Sequence, residues 1–214
     1  MIISRGRRYI FVHIPKTGGT SMAAALEARA MKDDILIGDT PKARRRRGRL
    51  DGLSAQGRVW KHMTLWDALG IVSEEEMAAF FVFTLVRNPW ERVASYYHWL
   101  RGQSFDHPAV ALARERDFSG FLNADATRAS LCAETYGAYV SGRAGEMCDA
   151  FVRLEHLTAD LAPLEAHLGF KIAPVPVLNA AFHRRPYREV YSSADALLVS
   201  ELCAEDIARF GYAF

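Results

Sequence analysis

YIFVHIPKTGGTSMAAALEARA (residues 9–30) changes character twice. Tyr9 to Val12 form a short continuous apolar run of β-branched and aromatic residues, which suits a strand buried on both faces, as in a parallel sheet. From Ser21 the chain becomes a run of strong helix formers. A turn holding Gly18 and Gly19 joins the two. That turn resembles a phosphate loop with its parts reordered. The usual nucleoside-triphosphate loop, G-x-x-x-x-G-K-[ST], places lysine after the last glycine. Here Lys16 precedes Gly18 and Gly19, and Thr17, Thr20 and Ser21 surround them. Backbone N–H groups from Thr17 to Ser21 would converge on one spot, where unpaired donors and the helix dipole attract an anion. The glycines let the backbone approach closely. The plain alternative is a tight strand-to-helix turn with an exposed lysine.

A second stretch repeats the pattern. FFVFTLV (80–86) reads as another buried strand, and NPWERVASYYHWLRG (88–102) as the helix after it, with Asn88 as N-cap, Pro89 in the first turn and Gly102 as the stop. Arg87 ends the strand and Ser95 lies in the helix's second turn. Arginine suits bidentate phosphate binding, and the serine adds a donor. The alternative is Arg87 paired with a carboxylate and Ser95 solvated. Two anion sites at strand ends imply a ligand with two separate anionic groups.

Further strands are expected at RVWKHM (58–63) and DAFVRL (149–154). A helical turn is expected at TLWDAL (64–69), and a helix at SEEEMAAF (73–80) opened by a Ser73–Glu76 capping box. TADLAPLEAHLG (158–169) reads as a helix closed by Gly169, KIAPVPVLNAAF (171–182) as extended, and a last helix starts near Ser192 or Ser193. Strands alternating with helices predict an α/β fold, a P-loop-like single domain over 1–214 with a mainly parallel central sheet flanked by helices. Ligands bind such sheets at the carboxyl ends of strands.

Composition narrows the classes. A chain of 214 residues suits one domain, and half of it is hydrophobic. A net charge of +2 does not point to nucleic acid. Three scattered cysteines form neither a disulfide framework nor a metal cluster and fit a reducing compartment. No apolar run approaches the ~20 residues of a membrane span, and no secretory signal is visible. A cytoplasmic protein is expected, with no metal and no transmembrane segment. Oligomeric state is not legible. KARRRRGR (42–49) holds six basic residues in eight and reads as a solvated loop or as a border that attracts an acidic substrate.

HIPKTGGTS resembles the 5′-phosphosulfate loop of sulfotransferases, which use 3′-phosphoadenosine 5′-phosphosulfate (PAPS) and release 3′-phosphoadenosine 5′-phosphate (PAP). VRNPWERVASYY resembles their 3′-phosphate segment in its order R-N-P-x-x-R-x-x-S-x-Y, matched by Arg87, Asn88, Pro89, Arg92, Ser95 and Tyr97. The branch resembled is the carbohydrate type, with the heparan and chondroitin sulfotransferases. FVRLEHLTADLAPLEAHLGF (151–170) and the closing stretch from Asn179 to Tyr212 are similar to the family's later strand, loop and helix. The resemblance implies PAPS as sulfuryl donor and a hydroxyl acceptor, a glycan or sugar-containing metabolite. It implies a loop of Lys16, Thr17, Gly18, Gly19, Thr20 and Ser21, with Lys16 facing the oxygen that bridges sulfur and phosphorus. Arg87 and Ser95 would hold the 3′-phosphate. HRRPYR (183–188) would fold over the nucleotide, with Arg184 or Arg185 reaching that phosphate or remaining solvated surface charge.

An acceptor hydroxyl must lose a proton, and histidine, with a reference pKa of ~6.5, suits that task. His62, at the end of the expected strand 58–63, is the choice, against a packing or capping role. The family often carries G-H-x-x here, and Lys61 replaces the glycine. His183 is the second candidate, and a glutamate base also exists in some branches. His13 is expected to orient the loop, and Tyr96, Trp99 and Tyr136 to pack in the core. The rival functions are a P-loop-like nucleotide kinase and a non-catalytic module binding nucleotide or acidic polymer.

Overall fold

The computed structural model describes residues 1–172, 174–176, 178 and 186–214. Its strands are β1 (Ile2–Ser4), β2 (Tyr9–Val12), β3 (Ile35–Leu36), β4 (Phe81–Val86), the hairpin β5 (Ser141–Gly142) and β6 (Gly145–Glu146), and β7 (Ala150–Arg153). Its helices are α1 (Gly19–Ala28), α2 (Pro41–Arg45), α3 (Glu74–Ala79), α4 (Pro89–Arg101), α5 (Pro108–Glu115), α6 (Phe118–Leu122), α7 (Asp125–Ala133), α8 (Tyr136–Tyr139), α9 (Leu157–Asp160), α10 (Ala162–Leu168), α11 (Ser193–Leu202) and α12 (Ala204–Phe210). Two compact units form, Met1–Val86 with Tyr136–Leu178, and Arg87–Thr135 with Asn179–Phe214.

The first unit holds the sheet, in the order β3-β1-β2-β4-β7. β2 and β4 are parallel from Tyr9 opposite Phe81 to Val12 opposite Thr84, and β7 continues the parallel set from Phe83 opposite Ala150 to Val86 opposite Arg153. β1 is antiparallel to both β2 and β3. β2 and β4 were legible as continuous apolar runs, and all four residues of β2 are buried. Alternate residues Phe11, Phe83 and Val152 share one core with Met22 and Leu26 of α1 and Leu164 of α10. The parallel register brings Val12 and Val86, the last residues of β2 and β4, to the same edge of the sheet.

Three expectations are corrected. Residues 58–63 form no strand. The sheet runs β3-β1-β2-β4-β7 without that segment, and the place beside β2 belongs to β1. The expected helix over 158–169 divides at Leu161 into α9 and α10. Pro163, which lacks an N–H, sits in the first turn of α10. The arginine run is not a loose loop. It forms α2 and a 3-10 turn at Arg47–Leu50. Lys42 donates to the carbonyl of Glu27 and Arg46 to that of Met31, so cations of the run meet carbonyls at and beyond the end of α1. The stretch 171–182 lies partly outside the described residues.

The second unit packs α4 against α5, α6 and α11. Trp90, Val93, Tyr97, Phe121 and Val199 are among its buried side chains. Asn88 caps α4 as expected, accepting from the N–H groups of Trp90 and Glu91. Ser192 and Asp195 form a capping box at the start of α11, and the last helix breaks at Cys203 before α12.

Candidate functional site

The loop between β2 and α1 leaves the start of the helix without a side-chain cap. The N-cap of α1 is Gly18, at φ 88°. Ser21 N–H and Met22 N–H bond back to the carbonyl of Gly18, at 3.0 and 3.3 Å. The earlier N–H groups, of Gly19 and Thr20, are those an α-helix cannot satisfy internally. Side-chain oxygens of Thr40, Ser73 and Asn88 cap α2, α3 and α4. At α1 an anion can take that role, favoured by the helix dipole. Lys16, just upstream, sits at φ 67° in the left-handed region. A non-glycine residue stays there only where the surrounding turn holds it.

The loop is packed from beneath. A Cβ on Gly19 would come within 2.0 Å of the His13 ring, and one on Gly18 within 2.8 Å of Leu154. Gly19 is therefore dictated by the close approach of the His13 ring, and Gly18 by its positive φ. The hydroxyls divide. Thr17 is fully buried and donates to the carbonyl of Ile14 at 2.9 Å, so its hydrogen is turned into the loop and its backbone alone can serve an anion. The Ser21 oxygen accepts from the N–H of Leu178 at 3.0 Å, which leaves its own hydrogen to donate. These features fit a phosphate-like group.

His62 belongs to the same unit and is tied to this loop. Its Nδ1 lies 2.8 Å from the carbonyl of His13. A carbonyl only accepts, so Nδ1 carries the hydrogen and Nε2 holds the lone pair. The two imidazoles meet edge to face at 4.6 Å. Burial pulls the pKa of His62 from the usual 6.5 down to about 3, and the His13 carbonyl only partly offsets this. Burial, with His62 beside it, pulls His13 well below its ordinary value too. His62 is thus neutral near pH 7 and able to accept a proton at Nε2, but it does not titrate near 6.5 as the sequence suggested. Met1 N also donates to the carbonyls of Ile37 and Lys61, at 2.9 Å each, anchoring the segment that carries His62.

Arg87 and Ser95 lie in the second unit. Arg87 pairs with Glu91 one helical turn on. Ser95 is buried within α4. Arg87 therefore has the carboxylate partner named as the alternative, and Ser95 is not a solvated helix residue. Tyr96 and Trp99 pack against that unit's core, and Tyr136 is fully buried in the first unit, as expected. His183, Arg184 and Arg185 lie outside the described residues. Among the described residues, no helix is long and apolar enough to cross a membrane, and no three His, Cys, Asp or Glu side chains are grouped to hold a metal. The sequence reading missed the ring contacts of Trp60 and the ion pair of Lys61 with Asp39 at 2.7 Å. The alternation of Arg58, Trp60 and His62 was the available signal.

No protein-family model and no curated protein match the chain. Among solved structures it is similar to the crystal structure of mouse sulfotransferase SULT7A1 complexed with PAP. The TM-score is 0.52 and the identity 15%, over 96% of this chain and 85% of that one. At that identity the similarity is one of architecture: the chain has the α/β fold of a sulfotransferase.

Proposed function

We propose that the protein is a cytoplasmic enzyme that moves a sulfuryl group from PAPS to a hydroxyl of a carbohydrate acceptor. The observation that carries this reading is the uncapped N-terminus of α1 behind a strained Lys16, in a chain with a sulfotransferase fold. The N–H groups of Gly18, Gly19 and Thr20, with the Ser21 hydroxyl, hold the 5′-phosphosulfate. Lys16 faces the oxygen bridging sulfur and phosphorus, where negative charge grows as that bond breaks. Arg87 and Ser95 take the 3′-phosphate, with Arg185 as a further ligand. Arg87 would then leave or share Glu91.

His62 Nε2 accepts the acceptor's proton as the acceptor oxygen bonds to sulfur. The bond from sulfur to the bridging oxygen breaks, and its electron pair leaves with PAP. No step requires the residues to hold a metal. The test is transfer from radiolabelled PAPS, without added Mg²⁺, to a panel of oligosaccharides and phenols. Labelled oligosaccharide is the expected product. Binding of PAPS with no loss of its label, or phosphoryl transfer from ATP to the same panel, would sink the reading in favour of a binding module or a kinase.

A further inference from the structure

Trp60 is 41% exposed, although indole is among the largest apolar side chains. It is nevertheless held in place. Its ring meets His62 edge to face at 5.2 Å, with planes 84° apart. His62 in turn packs on His13 at 4.6 Å, and His13 stacks on Phe11 at 5.9 Å. The rings form a ladder from the fully buried Phe11 outward to Trp60. The Arg58 guanidinium lies 5.5 Å from the centre of the Trp60 ring. Arg58, Trp60 and His62 are two residues apart in a segment that pairs in no sheet, and their contacts put them in one row. Lys61, between Trp60 and His62, pairs with Asp39, which also faces Arg47 at 3.9 Å. Arg58 is exposed and has no carboxylate partner among the described residues.

We propose that Trp60 is a positioning residue, the platform on which the acceptor's ring stacks so that its hydroxyl reaches His62 Nε2, and that Arg58 selects acceptors carrying an acidic group. This rests on the sulfuryl-transfer reading above. A sugar ring has an apolar face of C–H groups, whose positive edges suit the negative face of an indole. The ladder fixes that indole relative to the base, which is what delivery of one particular hydroxyl needs. Arg58, whose guanidinium lies over the Trp60 ring, offers planar donors matched to a carboxylate at the rim of the platform, and the acceptor ring takes the face away from it.

The test uses the full chain and two probes, tetragalacturonate as the acidic tetrasaccharide and chitotetraose as the neutral one. Calorimetry and tryptophan fluorescence follow the titrations. Trp60→Ala should weaken both probes roughly tenfold, the size of one lost aromatic contact, while Trp60→Phe keeps most of the affinity. Arg58→Gln should remove the preference for the acidic probe and its salt dependence, leaving the neutral probe unchanged. PAP affinity, measured in parallel, should be unaltered in all three variants, which also reports that they fold. Wild-type affinity in Trp60→Ala, or no binding of either probe by a protein that binds PAP, overturns the platform. Absence of PAP binding sinks the transfer reading instead, and the sugar titrations still decide the platform.

Discussion

Lys16 joins two demands that conflict. Its backbone lies at φ 67°, which costs a residue with a Cβ about 1–2 kcal/mol. Its ammonium is the charge the transfer needs. Lys16→Asn, with a side chain that tolerates the left-handed region, should therefore stabilise the fold by up to about 1 kcal/mol while removing the charge. Lys16→Ala keeps the strain and should lower kcat by roughly 10²–10³, with a smaller loss of PAP affinity because the N–H groups remain. Thermal melts and turnover of both variants check this; near-normal kcat in either removes Lys16 from the chemistry. His62 makes a separate prediction, in pH. The profile of kcat/KM reports the free enzyme. With a pKa of about 3, His62 is deprotonated across pH 5–8, so kcat/KM should show no His62 limb near 6.5. An anionic donor alongside favours the imidazolium, so the limb in kcat should lie higher than that in kcat/KM. His62→Asn should lose about 10²–10⁴ in rate and the limb with it. The same shift acts on stability. The folded pKa lies below the unfolded 6.5, so stability is full above 6.5 and is lost as pH falls toward about 3. His62→Asn should flatten that acid loss.

α1 is the element that concentrates the function, and its entry turn is set by what lies under it. Gly19→Ala would drive a methyl into the ring of His13, the residue whose carbonyl orients His62. The substitution should cost about 1–3 kcal/mol, as overpacking does, and should weaken PAP binding and slow transfer together. A variant that lost stability but kept kcat would show that the His13 contact does not position the base. β2 with α1, and β4 with α4, were legible because each strand is a continuous apolar run, and Asn88, Pro89 and Gly102 mark the bounds of α4. The segment around His62 was legible as chemistry but not as structure. Trp60 and His62 alternate as a strand does, yet the sheet position they would need is taken by β1, whose three residues give too short a pattern to read. The partner of a strand is a long-range fact, and alternation within one segment does not carry it.

At the scale of the molecule, a mainly parallel sheet was expected from strands alternating with helices, whereas the strand order, the antiparallel edge of β1 and β3 and the division into two units were not. The part of the site least determined by local pattern is the 3′-phosphate contact, because Arg87 has a role in the structure already, as the partner of Glu91. Ligand linkage can separate the two roles. PAP at about 100 times its Kd should stabilise the native state by about 2.7 kcal/mol, which for a chain of this size raises Tm by roughly 5–10 °C. AMP lacks the 3′-phosphate. Losing a charge-assisted contact of about 1.5–3 kcal/mol should leave AMP, at the same concentration, about a tenth to a half of that rise. Arg87→Ala and Glu91→Gln both break the ion pair and should lower Tm by similar amounts before any ligand is added. If Arg87 holds the 3′-phosphate, Arg87→Ala should erase the difference between PAP and AMP, while Glu91→Gln should keep or widen it, because a competing carboxylate has gone. If both variants retain the difference, Arg87 serves Glu91 alone and the 3′-phosphate is held elsewhere.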